Sequence, residues 1–342
     1  MPSAAEEIRS AIERAGRISF REFMKLALYG ERGFYAQVGS AGRRGDFITS
    51  PEVGPLFGTV LAGVLDEWWR EMGCPNEFSV VEVGAGPGTL ARSVFAADPE
   101  CLRRGKYLAV ETSAEQRLRH PDSVQSMSEM PERIEFGVVI ANELLDNLPF
   151  RLFVFDGGWR EAFVTIGSGD SFVEVLGEKV EVPAGFPAAA PHGSRLPFQE
   201  DARDWMTRVR AALRSGKLLI FDYCTPTTAE LVTIPWRDWL RTYRQHERGL
   251  HYLRDVGVQD ITAQVCLDQL GLSGAKVSTQ ADFLRRHGID RLVDEGRRHW
   301  ETHRDRPDVL AMTMRSRIRE AEALCDERGL GGFTVLESSR SN

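Results

Sequence analysis

The chain has 342 residues, of which 42% are hydrophobic and 27% charged, enough to bury one large core or two modest ones. A formal net charge of -7 excludes a broad electrostatic footprint for nucleic acid and favours a cationic or neutral partner. No window approaches the roughly 18 continuous apolar residues of a membrane span, so no membrane insertion is expected.

The first residues, MPSAAEEIRSAIERAGR, lack the apolar stretch of a signal peptide and carry acids foreign to a transit peptide, so they read as a mature end. Two short helices follow, each opened by a serine with glutamate three residues on: Ser3 with Glu6, and Ser19 with Glu22. Gly16 and Gly30 stop them. From Gly30 to Pro55 glycine is frequent and no helical period survives, which predicts a long ordered loop or lid. An amphipathic helix is expected over Leu56 to Met72.

Strands and helices then alternate, the pattern of a parallel sheet. Strands are expected at Phe78 to Val83, Lys106 to Glu111, Phe136 to Ala141 and Lys217 to Tyr223, with later ones at Ala275 to Ser278 and Gly332 to Glu337. Phe150 to Val182 alternates with period two and turns at Asp156-Gly157-Gly158; it reads as an inserted hairpin without a core of its own. Thr225 to Gly271 mixes Trp, Tyr, His and Arg and shows no strand pattern. The five cysteines are odd in number, far apart and never CxxC, so they read as reduced thiols in a cytoplasmic protein, with no zinc site or other metal pattern.

The glycine turn after the first strand, EVGAGPGTL, carries most of the chemistry. A phosphate-gripping Walker loop needs Gly-Lys-Ser/Thr, and Gly88-Thr89-Leu90 has no lysine. A dinucleotide fingerprint needs GxGxxG, whereas Gly84, Gly86 and Gly88 form GxGxG behind the acid Glu82. That arrangement resembles the S-adenosylmethionine-dependent methyltransferases of the Rossmann-like class, in which glycines let the backbone approach the amino-acid end of the cofactor. Glu111, ending the next strand, suits the two hydroxyls of a ribose. The same acid would also serve a nicotinamide enzyme, or simply cap the helix near Ser113. ANELLDNLPF follows the apolar run FGVVI at a strand edge where open parallel sheets bind ligands, and brings Asn142, Glu143 and Asp146 within one turn of chain.

RRGDFITSPE, EVGAGPGTL, YLAVETS, ANELLDNLPF, DYC, LRTYRQH, QDITAQV and GFTVL, in that order over nearly the whole chain, resemble the MidA family of S-adenosylmethionine-dependent methyltransferases. Mitochondrial members of that family dimethylate an arginine of a respiratory complex I subunit. The resemblance implies an α/β fold with a Rossmann-like seven-stranded methyltransferase sheet, a helical N-terminal extension and family-specific insertions. Residues 1–75 would then be N-terminal helices and a cofactor lid, and 76–342 the methyltransferase domain with insertions near 150–200 and 225–271. S-adenosyl-L-methionine would be held by Glu82, Gly84, Ala85, Gly86, Gly88, Glu111 and Thr112, and by Phe47, Thr49, Ser50 and Pro51 of the lid. Glu143 and Asp146 would clamp an acceptor guanidinium, with Asn142 positioning it. The implied partner is an arginine-bearing protein, a respiratory-complex subunit among the candidates; oligomeric state carries no signal.

Departures from the family pattern fall at Cys224, in Asp222-Tyr223-Cys224, and in Gln280-Ala281-Asp282-Phe283-Leu284, and these point to the substrate side. A small-molecule O- or N-methyltransferase and an assembly chaperone with a retained cofactor site stay open as alternatives. His246 and His251 are candidate bases in the first of these.

Overall fold

The computed structural model describes residues 3–36, 49–244 and 247–341. The chain divides into two units. One comprises Ile48–Glu143, Val209–Asp222 and Gly274–Asn342. Its seven strands, in chain order, are β1 (Phe78–Val83), β2 (Lys106–Val110), β3 (Gln125–Met127), β4 (Ile134–Asn142), β5 (Leu213–Asp222), β6 (Lys276–Thr279) and β7 (Thr334–Arg340). They lie in the order β6-β7-β5-β4-β1-β2-β3, with β7 antiparallel to both neighbours and the other pairs parallel. This is the α/β sheet expected from the alternation of strands and helices. Central strands such as β1 are buried at almost every position, as a sheet covered on both faces requires. The core gathers Phe78, Val80, Tyr107, Val138 and Phe221 of the sheet with Phe57, Leu61, Trp68 and Leu90 of the helices Pro55–Glu71 and Thr89–Ala96.

Strand order reverses at the β1/β4 pair. Successive strands step one way from β1 through β2 to β3, and the other way from β4 to β5. The register sets Val83 beside Ala141, so the segments leaving β1 and β4 emerge side by side from the carboxyl edge, where open α/β sheets bind ligands. The three-residue β3 escaped sequence reading because it is an exposed edge strand with no apolar run.

The other unit comprises Met1–Phe47, Leu144–Arg208 and Tyr223–Ser273. Both N-terminal helices, Ala4–Ala15 and Phe20–Tyr29, begin at the expected caps: Ser3 and Ser19 accept from the backbone N–H groups of Glu6 and Glu22. Gly16 and Gly30 close them. The hairpin Arg151–Phe155 to Trp159–Ile166 turns at Asp156-Gly157-Gly158 and lies in a five-stranded sheet. Two expectations need correction here. The segment Phe150 to Val182 is no coreless insertion: Phe150, Phe153 and Trp159 are fully buried with Phe20, Phe23, Trp239 and Tyr252 in a second hydrophobic core. And 225–271 does contain strands, Leu240–Arg244, Glu247–Arg248 and Asp260–Ala263, which form a three-stranded sheet. That core draws on three separate stretches of chain, so no single window displays it.

Two buried polar contacts lock the sheet unit. Ser50, fully buried, donates its hydroxyl to Gln280 Oε1 at 2.9 Å, and Gln280 Nε2 donates to the Leu324 carbonyl at 3.0 Å. Gln280, Ala281, Phe283 and Leu284 are all fully buried, so Ala281, the departure from the family pattern in this segment, packs in the core. On the sheet itself, the Tyr107 hydroxyl donates to Glu82 Oε2 at 2.7 Å. Burial pushes the Glu82 carboxyl up from 4.5 to about 8, against the Tyr107 bond, with the Glu111 charge adding to the rise.

Each lock makes a prediction. Gln280→Leu strands a buried hydroxyl and a carbonyl and should cost about 2–3 kcal/mol in urea unfolding, less when combined with Ser50→Ala. Folded Glu82 keeps a proton that the unfolded chain releases above pH 4.5, so its contribution is complete below that pH and is lost as pH rises toward about 8. Glu82→Gln retains an acceptor for Tyr107 without the titration. It should therefore match wild type near pH 4.5 and exceed it by on the order of 2–4 kcal/mol at pH about 8; parallel melting profiles across that range would refute the assignment.

Candidate active site

Left-handed backbone is the reason for glycine at alternate positions of the turn after β1: φ is 75° at Gly84, 51° at Gly86 and 79° at Gly88. Gly88 starts the helix Thr89–Ala96. The N–H groups of Gly84 and Ala85 both donate to the Val110 carbonyl of β2, at 2.9 and 3.0 Å, and Gly88 N–H closes on Ala85 O. A Cβ on Gly88 would meet Pro121 Cδ at 3.0 Å, whereas one on Gly86 would meet nothing within 4 Å. Crowding by the protein adds to the need for glycine at 88, and open space beside the backbone distinguishes Gly86.

Glu111 follows β2 and reaches back to this turn. Its Oε2 accepts the Gly86 N–H at 3.0 Å, while Oε1 accepts from the Ser113 N–H at 2.8 Å and the Thr112 hydroxyl at 3.3 Å. Arg117 holds the carbonyls of Glu111 and Thr112, each at 2.7 Å. Ser113, not Glu111, caps the short helix Ala114–Arg117 with its side chain. A carboxylate presents about four lone-pair sites. Glu111 can therefore accept a sugar diol by giving up its long Thr112 contact and sharing the Gly86 one. Open backbone at Gly86 beside an acid of this kind fits a nucleoside with a small charged tail.

The remaining candidates of the turn and lid are placed differently. Glu82 is buried against Tyr107. Thr49 precedes the short helix Ser50–Val53 and gives its N–H to Glu52; Ser50 is tied to Gln280, and Pro51 is buried in the same helix. Phe47 lies outside the described residues, as does His246. His251 packs on Tyr252 with ring centroids 4.1 Å apart, and burial lowers its pKa.

Asn142 ends β4, beside the glycine turn across the β1/β4 pair. Its Nδ2 donates to Glu143 Oε1 at 3.1 Å, and its buried Oδ1 has no hydrogen-bond partner among the described residues. Glu143 has φ 51°, a left-handed conformation that costs a non-glycine residue energy, and its N–H is anchored to Phe221 O at 2.8 Å.

Asp146 belongs to the other unit. There its Oδ2 accepts the Thr262 hydroxyl, and its buried Oδ1 is unpartnered among the described residues. Burial raises Asp146 to about 6, opposed by the Thr262 bond and the charge of Arg241. Nearby Asp260 is raised to about 7 by burial and by Asp146. It accepts from the Tyr35 hydroxyl at 3.0 Å and from Asn147 Nδ2, whose backbone carbonyl takes the Tyr29 hydroxyl.

Sequence reading did not single out Asp260, Tyr35, Asn147 or His120. Two of them had a signal, since Asn147 and Asp260 sit inside ANELLDNLPF and QDITAQV; Tyr35 lies in neither motif. His120, which contacts Gly86 O through Nε2 at 2.8 Å, lies in no such motif.

Residues 60–285 match a family of S-adenosyl-L-methionine-dependent methyltransferases. The chain is 33% identical over 305 residues to the mitochondrial protein arginine methyltransferase NDUFAF7 homolog of Drosophila melanogaster, covering 77% of this chain and 68% of that one. It is 26% identical over 331 residues to the human mitochondrial protein arginine methyltransferase NDUFAF7, covering 82% and 72%. A Burkholderia thailandensis protein crystallised with S-adenosyl-homocysteine superposes with a TM-score of 0.83 at 27% identity, covering 98% of this chain and 92% of its own. The expectation of a cytoplasmic location is overturned by these comparisons, because the named arginine methyltransferases are mitochondrial. The reversed strand order, the GxGxG turn with Glu111 and a family match over most of the chain agree: this protein belongs to the MidA family and is an S-adenosyl-L-methionine-dependent methyltransferase.

Proposed function

We propose that the protein transfers methyl groups to an arginine side chain of a protein acceptor. The observation that carries this reading is Glu143, an acid held in a left-handed conformation at the carboxyl end of β4, next to the strand that carries the glycine turn. Relatives named as protein arginine methyltransferases support it. The family resemblance extends the proposal to a subunit of a respiratory complex as acceptor. Gly84, Ala85, Gly86, Gly88, Glu111 and Thr112 are proposed to seat the cofactor, which supplies an electrophilic methyl group on a cationic sulfur.

Each acceptor-side residue then has a defined task. A guanidinium nitrogen becomes nucleophilic only when its lone pair is aimed at the methyl carbon and a proton can leave. Glu143 accepts the N–H groups of the cation and fixes its plane, while Asn142, bonded to Glu143, fixes the carboxylate. Asp146 Oδ1 is buried with no hydrogen-bond partner among the described residues, and its raised pKa suits a group that takes a proton near neutral pH.

Glu143→Gln should lower turnover at least ~100-fold while S-adenosyl-homocysteine binds within about twofold of wild type; equal turnover would reject the role. Protonation of Asp146 below pH about 6 should lower kcat/KM for the acceptor on the acid side. Because Asp260 titrates close by, the limb is assigned by Asp146→Asn, which should flatten it. Incubation with methyl-labelled cofactor and cell lysate tests the acceptor class: label is expected in precipitated protein as methylarginine, and label confined to small molecules would overturn the reading.

A further inference from the structure

Gly86 itself is held at two points, and only one of them is expected to serve the cofactor. Taking its backbone groups in turn, the N–H groups of Gly84, Ala85 and Gly88 bond to main-chain carbonyls, and the Pro87 carbonyl accepts from Arg92 Nη2 at 2.8 Å. The Gly86 N–H depends on the Glu111 carboxylate. The peptide joining Gly86 to Pro87 has no N–H, so its carbonyl is its sole hydrogen-bonding handle. That handle is taken by His120, whose Nε2 lies 2.8 Å from Gly86 O. A carbonyl only accepts, so Nε2 carries the proton. Nδ1 is then free to accept from the Ser126 hydroxyl, 2.9 Å away on β3. The ring also flanks the third glycine, with Cδ2 3.3 Å from where a Cβ of Gly88 would stand.

We infer that His120 is a positioning residue for cofactor binding: it holds the Gly86–Pro87 peptide in place when Glu111 turns its carboxylate toward the cofactor's sugar. The inference rests on the glycine turn and Glu111 being the cofactor seat. In the free protein Glu111 and His120 both restrain Gly86, one through N–H and the other through C=O. Binding draws on the Glu111 restraint, because the same oxygens must receive new donors. The His120 restraint competes with nothing and stays. Ser126 orients the ring from the edge strand, which gives β3 a role despite its three residues.

The test measures S-adenosyl-homocysteine binding by calorimetry to wild type, Glu111→Ala, His120→Ala and His120→Gln, with melting temperatures of the free proteins and steady-state kinetics alongside. Glu111→Ala should abolish or greatly weaken binding; wild-type affinity in that variant would overturn the seat itself, and the inference with it. His120→Ala should bind about tenfold more weakly, the loss expected for one hydrogen bond to a positioned carbonyl. Its free-state melting temperature should stay near wild type, because Glu111 still holds Gly86. KM for the cofactor should rise by the same factor while kcat at saturation holds. His120→Gln, whose amide nitrogen reaches as far as Nε2, should recover most of the affinity. Unchanged affinity in His120→Ala, or failure of His120→Gln to improve on it, would refute the inference. In wild type, nitrogen chemical shifts of the ring should report the Nε2–H tautomer, and an Nδ1–H tautomer would refute it equally.

Discussion

Reversal of strand order between β1 and β4 is the constraint from which the rest of the sheet unit follows. Each parallel connection must cross a face of the sheet, and at the point of reversal successive connections leave toward opposite sides. The chain segments beyond Val83 and Ala141 therefore leave the carboxyl edge side by side. The left-handed backbone of the turn there accounts for Gly84, Gly86 and Gly88. The adjoining edge of β4 carries Asn142 and Glu143, so the proposed cofactor turn and the proposed acceptor residues lie on neighbouring strands through register alone.

Buried acids recur in both units, and their surroundings separate their roles. Glu82 has a hydroxyl donor in Tyr107 and a pKa near 8, the profile of a neutral carboxyl packed in a core. Asp260 accepts from Tyr35, Asn147 and the Ile261 N–H, which makes it a hub that organises the polypeptide around it. Asp146 differs in keeping one buried oxygen without a partner among the described residues, and leaving such a group unpaired costs on the order of 1–3 kcal/mol. A fold tolerates that cost most readily where the atom is used. Asn142 Oδ1, unpaired among the described residues, and the left-handed backbone of Glu143 are further local costs in the same short motif.

Much of this was legible in the residues themselves. β1 runs over Phe78–Val83, as its largely apolar run indicates, because a strand buried on both faces is mostly hydrophobic in sequence. The Asp156-Gly157-Gly158 hairpin and the serine caps of both N-terminal helices are equally local, each needing only a few adjacent residues. Where reading failed, the missing information was long-range. Trp159, Trp239 and Tyr252 share a core with Phe20 although they are far apart in the chain, so the aromatic insertion looked patternless. Ala281 looked like a substrate-side departure, yet it is fully buried beside Gln280, whose amide lies between Ser50 and Leu324.

By itself the sequence determined the class of sheet, the glycine turn, the acid after β2 and the NExLD motif, because backbone conformation and strand burial are dictated by residues close together. Only tertiary structure decided that Glu82 and Ser50 turn to protein partners, that Glu111 grips Gly86, and that His120 holds the same glycine from the other side. Those outcomes depend on which side chains meet across the sheet, and hydrogen bonds between residues 25 to 230 positions apart leave no local trace in composition or period.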